Sequence, residues 1–235
     1  MRALAVITAR GGSKRIPRKN IKEFCGKPIL AYSIEAALGA GVFDEVMVST
    51  EDAEIAEIAK ARGAKVPFFR SSESANDYAT TADVLLEVLE QYRRIGREFD
   101  YVCCIYPTAP FVSAEKLKNA MELLAGQGAD SLLPVVRFGF PPQRSVVIKD
   151  GLLQFKWPEH MLTRSQDLEP FYHDAGQFYC VRTDSFLEQK KMVMEKTVPM
   201  VMPESEVQDI DTEEDWKVAE AKYRAVKKEK AYEAD

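Results

Sequence analysis

No apolar run in this chain approaches the ~20 residues that a bilayer-spanning helix requires. The first residues also lack the charged, apolar, then small-residue order of a secretory signal, so a cytoplasmic protein without a membrane partner is expected. Only two histidines occur, His160 and His173, which argues against a histidine-rich metal site. The four cysteines, Cys25, Cys103, Cys104 and Cys180, form no C-x-x-C pair, and two of them lie in an apolar run. They read as small core residues rather than metal ligands or disulfides. Neither the Gly-x-x-x-x-Gly-Lys-Ser/Thr nor the Gly-x-Gly-x-x-Gly spacing is present, and there is no internal repeat or low-complexity linker. Positive charge is in deficit, with a formal net charge of -5. A nucleic-acid partner is therefore not expected, because affinity for a phosphate backbone needs a broad basic surface.

The basic residues that do cluster follow a short apolar run, Ala3–Thr8, in the stretch Ala9–Asn20. Gly11 and Gly12 lack Cβ atoms, so successive N–H groups can turn toward one anion. Arg10, Lys14, Arg15, Arg18 and Lys19 add cations around it. A phosphate loop after a first strand is the functional reading, and an exposed basic turn is the plain one. With 46% hydrophobic residues, the 235-residue chain can bury a full core as a single domain, 1–235.

Beyond the loop, Pro28–Gly41 carries apolar residues at helical spacing, Glu45–Thr50 reads as a strand, and Ala53–Arg62 as a helix stopped by Gly63. An irregular segment, 66–80, precedes a helix at about 81–96. Asp100–Tyr106 suits a strand buried on both faces, and the prolines of Tyr106-Pro107-Thr108-Ala109-Pro110 end it in a rigid loop. A helix at 113–127 and a strand at 130–136 continue the rhythm. This alternation predicts an α/β fold with a doubly wound, mainly parallel sheet that binds ligands beyond the carboxyl ends of its strands. At about 138–172 the rhythm breaks into an aromatic-rich insertion, with a hairpin at 146–155 turned by Asp150-Gly151. Strand 177–182, a short helix at 184–189, an edge-like strand at 197–202 and a final helix capped by Thr212 complete the chain, with a charged tail, 227–235, that is expected to fray.

Ala9-Arg10-Gly11-Gly12-Ser13-Lys14, followed by Pro17-Arg18-Lys19-Asn20, resembles the signature of the cytidylyltransferases that activate nonulosonic (sialic-type) acids. Gly26-Lys27-Pro28, Val48-Ser49-Thr50-Glu51-Asp52, Tyr106–Pro110 and Asp209-Ile210-Asp211-Thr212 agree with it in order along the chain. Phe140–Arg144, Thr163–Leu168 and His173–Tyr179 resemble the branch of that family acting on pseudaminic acid.

The resemblance implies a Rossmann-like nucleotidyltransferase that moves CMP from CTP to the anomeric hydroxyl of a nonulosonic acid. Arg10, Gly11, Gly12, Ser13, Lys14 and Lys19 are assigned to the triphosphate, and Asn20 to nucleotide orientation. Arg70, Thr80 and Thr108 fall on the cytidine side, although Arg70 could equally be a surface cation. Lys19 is the best candidate for stabilising the transition state, with Arg10 and Asp211 as further catalytic residues. Relatives often carry glutamine where Tyr106 stands, so base contact by Tyr106 is not carried over. Mg²⁺ is implied at Asp209 and Asp211, whose spacing puts both carboxylates on one face of extended backbone. The alternative for Asp211 is a helix cap. For the acceptor, the pattern offers Gln143, Arg144, Arg164 and Gln166 as donors, and Phe140, Phe171, Tyr172 and Phe178 as apolar walls. Core packing is the plainer reading of Phe178, and a structural role that of His173 and Asp174. The insertion is implied to be a dimerisation arm in a homodimer, with a local lid as the alternative. Rival functions are a cytidylyltransferase for another sugar acid, a nucleotide-binding protein without turnover, and a glycosyltransferase.

Overall fold

The computed structural model describes residues 2–76 and 78–232, with side chains through Lys228. Its elements run β1 (Ala3–Thr8), β2 (Glu23–Phe24), β3 (Lys27–Pro28), α1 (Ile29–Ala40), β4 (Glu45–Ser49), α2 (Ala53–Ala61), α3 (Ser72–Ala75), α4 (Thr81–Arg94), β5 (Tyr101–Ile105) and α5 (Ala114–Gly126). They continue through β6 (Ser131–Arg137), β7 (Val146–Lys149), β8 (Leu152–Phe155), β9 (Tyr172–Asp174), β10 (Phe178–Arg182), α6 (Thr183–Gln189), β11 (Thr197–Val201) and α7 (Glu213–Tyr232). Residues 233–235 of the charged tail lie outside the described residues. Among the described residues, no helix is long and apolar enough to cross a membrane.

The central sheet has the order β11-β6-β10-β5-β1-β4, with β9 also on β6. Successive residues of β1 alternate between its faces. Ala5 and Ile7 join Leu30 and Ile34 of α1, Ile55 of α2 and Leu117 of α5 on one side. Leu4 and Val6 meet Leu85, Val88 and Tyr92 of α4 and Phe186 of α6 on the other. Helices on both faces are what the βα rhythm predicts. Cys103, Cys104 and Cys180 are fully buried in these cores, as free thiols.

The sheet is mixed, which corrects the expectation of a mainly parallel one. β1 runs parallel to β4 and β5, and β11 parallel to β6. β10, however, lies antiparallel between β5 and β6, and β9 is antiparallel on β6. The cause is the insertion. A parallel pair needs a crossover connection, whereas the chain here leaves at the end of β6 and returns beside it, so its next strands point back.

The insertion carries the β7–β8 hairpin, and Asp150 and Gly151 have φ of 52° and 77°, the doubly positive turn that an Asp-Gly pair accommodates. A separate cluster beyond the sheet joins Ile16, Phe24, Tyr32 and Phe111 to Ile210 and Trp216. Trp216 meets Phe24 edge-on at 5.5 Å. This cluster ties α7 to the loop after β1.

At the opposite end, the Glu45 carboxylate is buried and accepts hydrogen bonds from Tyr92, Arg97 and Lys65. Burial pushes its pKa up, but the three donors outweigh burial and hold it below the usual carboxylate range. A lowered folded pKa stabilises above the unfolded value of about 4.3 and is lost as pH falls through the folded value. The stability difference between wild type and Glu45→Gln, measured by urea unfolding at several pH values, is therefore expected to be largest near neutrality and to close on acidification.

Candidate active site

The loop after β1 is fastened by the chain's own hydrogen bonds. Ala9 donates its N–H to Ser49 O at 3.0 Å, and Asn20 Nδ2 donates to Arg10 O at 2.8 Å. Gly11 N–H donates to Glu51 Oε1 at 2.7 Å, and Gly11 does not line the cavity described below, which corrects its assignment to the triphosphate. A Cβ on Gly11 would lie 2.5 Å from Asp52 Oδ2, so only glycine fits this approach. Arg18, in left-handed conformation at φ 55°, forms ion pairs with Asp52 and Glu54. The short helical turn Lys19–Ile21 then aims the Lys19 ammonium inward.

A cavity of about 560 Å³ opens above the loop. It is lined by Arg10, Ser13, Lys14, Lys19 and Asn20 from the loop, by Arg70, Ser74, Asn76 and Thr80 from the segment before α4, and by Tyr106 and Thr108 after β5. Arg70 is only 8% exposed, and its Nε and Nη2 donate to Ser49 Oγ and O at 3.0 and 2.7 Å. That burial removes the surface-cation reading. It also pulls the guanidinium pKa down, with the nearby Glu51 opposing. The Thr80 hydroxyl makes a capping box with Asp83 at the start of α4, so its first task is structural.

The aspartates close the far side. Ile210 is 1% exposed, inserted into the cluster of Ile16, Phe24 and Trp216, and Asp209 and Asp211 flank it. Lys19 Nζ donates to Ile210 O at 2.6 Å and stands 3.7 Å from Asp211 Oδ1, while Arg15 Nη2 reaches the same oxygen at 2.8 Å. Burial lowers the Lys19 pKa, against the pull of Asp211 and Asp209. Burial first, and Asp211 second, raise that of Asp209. Thr212 Oγ1 accepts from Asp215 N–H at 3.2 Å, so Thr212 caps α7 and the Asp211 side chain does not.

A family model described as cytidylyltransferase matches residues 4–198. The chain is 40% identical over 225 residues to the pseudaminic acid cytidylyltransferase of Campylobacter jejuni subsp. jejuni serotype O:2, covering 95% of this chain and 97% of that one. The chain belongs to the cytidylyltransferase family. It is also 35% identical to the CMP-N,N'-diacetyllegionaminic acid synthase of Legionella pneumophila, over 94% of this chain and 95% of that one. Among solved structures, a CMP:2-keto-3-deoxy-manno-octonic acid synthetase complexed with CTP superposes with a TM-score of 0.68 at 18% identity, covering 94% of this chain and 98% of that one. This last likeness concerns the fold.

In this member of the family a second cavity, of about 510 Å³, adjoins the first, with Tyr106 lining both. Asp211 lines the first and Asp209 the second, so the carboxylate pair stands between them. His173, Asp174, Tyr179, Gln208 and Lys222 also line the second cavity. None of the acceptor residues read from the sequence does so within one chain. Phe178 is fully buried in the sheet core, which corrects its assignment as a pocket wall. Gln143 is buried and donates to Glu169 O at 2.8 Å, leaving its Oε1 without a partner. Arg144 reaches Ser165 Oγ at 3.3 Å, and Arg164 pairs with Asp167 at 2.7 Å. Gln166, Phe140 and Tyr172 are exposed on the insertion, Phe140 by 92%.

His173 and Asp174, read from sequence as structural, also line the cavity, and Asp174 accepts from Gly176 N–H at 2.8 Å. The Tyr179 hydroxyl donates to Asp174 Oδ2 at 2.7 Å, and burial raises its pKa. A hydroxyl in an otherwise apolar strand is the signal that could have marked Tyr179. Lys222 has no comparable local signal.

Proposed function

We propose that this chain transfers CMP from CTP to the anomeric hydroxyl of a nonulosonic acid, with pseudaminic acid favoured, and releases pyrophosphate. The observation that carries this reading is the Asp209–Asp211 pair between two cavities, one of them walled by the glycine-rich cationic loop. The name of the Campylobacter relative favours pseudaminic acid as acceptor. CTP as donor fits a cytoplasmic location.

In this reading Gly12, Ser13, Lys14 and Arg10 bind the triphosphate, and Arg70, Thr108 and the Thr80 segment enclose the cytidine. Asn20 acts through the loop it fastens. The acceptor hydroxyl attacks the α-phosphorus, the bond to pyrophosphate breaks, and Lys19 meets the charge that develops on the leaving oxygens. Asp209 and Asp211 fit Mg²⁺, because two carboxylates with phosphate oxygens and water suffice for that ion, and a cation there would offset the burial and the Asp211 charge that raise the Asp209 pKa. Bound there, Mg²⁺ would supply charge neutralisation at the phosphates.

We further propose a homodimer formed through the insertion at about 138–172, where Ile148, Leu152 and Leu153 are exposed by 76%, 67% and 65%. A partner's arm would supply the exposed Arg144, Arg164 and Gln166 groups that one chain does not bring to its own second cavity, whereas the buried Gln143 would act within its own arm. Ile148→Asp with Leu153→Asp is expected to yield a monomer by light scattering and to raise KM for the sugar more than for CTP. A dimer that persists would remove this arm from the interface.

The test of function is incubation with CTP, Mg²⁺ and, in parallel, pseudaminic, legionaminic and N-acetylneuraminic acids, reading pyrophosphate release and CMP-sugar mass. Selective product with pseudaminic acid is expected. Product with another acid keeps the chemistry and changes the acceptor, whereas no pyrophosphate with any acid overturns the proposal.

A further inference from the structure

One peptide group in the loop is held from both sides. The Arg10 carbonyl accepts from Asn20 Nδ2 at 2.8 Å, and the N–H of the same peptide, that of Gly11, donates to Glu51 Oε1 at 2.7 Å. We propose that Glu51 is a positioning residue for the phosphate loop, clamping the Arg10–Gly11 peptide together with Asn20 so that Arg10, Ser13 and Lys14 face the nucleotide cavity before CTP arrives. The inference rests on reading that loop as the triphosphate site.

Capping of α2 does not account for Glu51, whose charge also faces the buried Arg70 guanidinium. The start of α2 is served by its neighbour: Asp52 Oδ1 accepts from Glu54 N–H and Ile55 N–H at 2.9 and 3.1 Å. The second carboxylate oxygen of Glu51 is buried and has no hydrogen-bond partner. An unsatisfied buried acceptor costs stability, and such departures from local economy cluster at functional sites. Glu51 does not line the cavity, so it acts through the backbone and not on the ligand.

Three further contacts show the loop seated on the carboxyl end of β4. Ala9 N–H bonds Ser49 O, Arg18 pairs with Asp52, and Gly11 fits against Asp52 where a Cβ would not. Arg70 is fixed to the same strand end through Ser49. The end of β4 thus sets the positions of the phosphate loop and of the cavity-lining Arg70 together. A preset peptide plane removes ordering that binding would otherwise require, so the clamp should act on CTP affinity.

Calorimetric titration of CTP in Mg²⁺ without acceptor, on wild type, Glu51→Met, Glu51→Gln, Asn20→Ala and the Glu51→Met/Asn20→Ala double variant, tests the clamp. Glu51→Met keeps the volume and removes the acceptor. It is expected to weaken CTP about tenfold or more, as loss of a charge-assisted hydrogen bond does. Asn20→Ala should weaken it comparably, and Glu51→Gln, which keeps one acceptor oxygen, should stay within about threefold of wild type. The double variant should be no more than about twofold weaker than the weaker single variant, because both act on one peptide plane.

A double variant whose loss is the product of the two single losses overturns the clamp, as does Glu51→Met binding like wild type. A melting temperature lowered by more than about 5 °C in both Glu51 variants would make Glu51 a stability residue and also overturn it. Failure of wild type to bind CTP would instead strike the reading of the loop itself.

Discussion

Lys19→Ala is expected to lower kcat by about 10²–10³-fold, the usual cost of removing one preorganised donor from a developing oxyanion. The side chain is held for that task. Its ammonium donates to the Ile210 carbonyl and stands beside Asp211, so its position is set before substrate enters. KM for CTP should move much less, because Arg10, Ser13 and Lys14 still face the ground-state triphosphate. Lys19→Arg should not restore the rate, since a planar fork cannot occupy the place of a compact ammonium. Steady-state kinetics with CTP varied at saturating acceptor provide the measurement. An unchanged kcat with a raised KM would mean that Lys19 binds ground state and transition state equally, and the assigned role would be lost.

Trp216→Ala is expected to cost about 3–5 kcal/mol of stability in urea unfolding, the range for deleting a buried tryptophan side chain. The indole is 4% exposed, meets Phe24 edge-on and carries the Lys22 ammonium 4.7 Å from its ring centroid. The same cluster holds Ile16 from the phosphate loop and Ile210 from between the two aspartates. Loss of the indole should therefore also reduce turnover under conditions where the variant remains folded, and Trp216→Phe should recover part of both losses. Full activity in a folded Trp216→Ala variant would show that the cluster carries stability alone.

The sequence was most informative where local rules decide the outcome. The longer elements from β1 to β6 follow apolar runs or helical patterns with glycine stops and capping residues, and they fall where those patterns put them, whereas the short β2, β3 and α3 carry no such pattern. The Asp150-Gly151 hairpin was equally legible, because few residue pairs tolerate two positive φ values. Strand direction was not legible. Nothing in Phe178–Arg182 distinguishes a parallel strand from an antiparallel one, so the mixed sheet emerged only from the path of the insertion. Tyr172–Asp174 is short and exposed and carries no alternation signal for β9.

At the site, the residues lining the nucleotide cavity were readable because several of them lie in one contiguous loop. The second cavity draws Tyr106, His173 and Lys222 from three distant stretches, and only folding brings them together. Asn20 shows a subtler gap. Its place in the motif pointed to the nucleotide and it does line that cavity, but the hydrogen bond from its Nδ2 to a backbone carbonyl ten residues earlier was not readable.

The base of the insertion is closed like a zipper: Arg137 pairs with Tyr172 across β6 and β9, and Phe138 N–H reaches Phe171 O at 2.9 Å. Antiparallel neighbours of this kind lie about 5 Å apart, a gap that a tight two-residue turn can span. The whole excursion could thus be excised or exchanged for another without moving the strand ends that carry the nucleotide loop. Such a layout lets the arm diversify by cassette replacement while the sheet that carries the nucleotide loop is inherited unchanged.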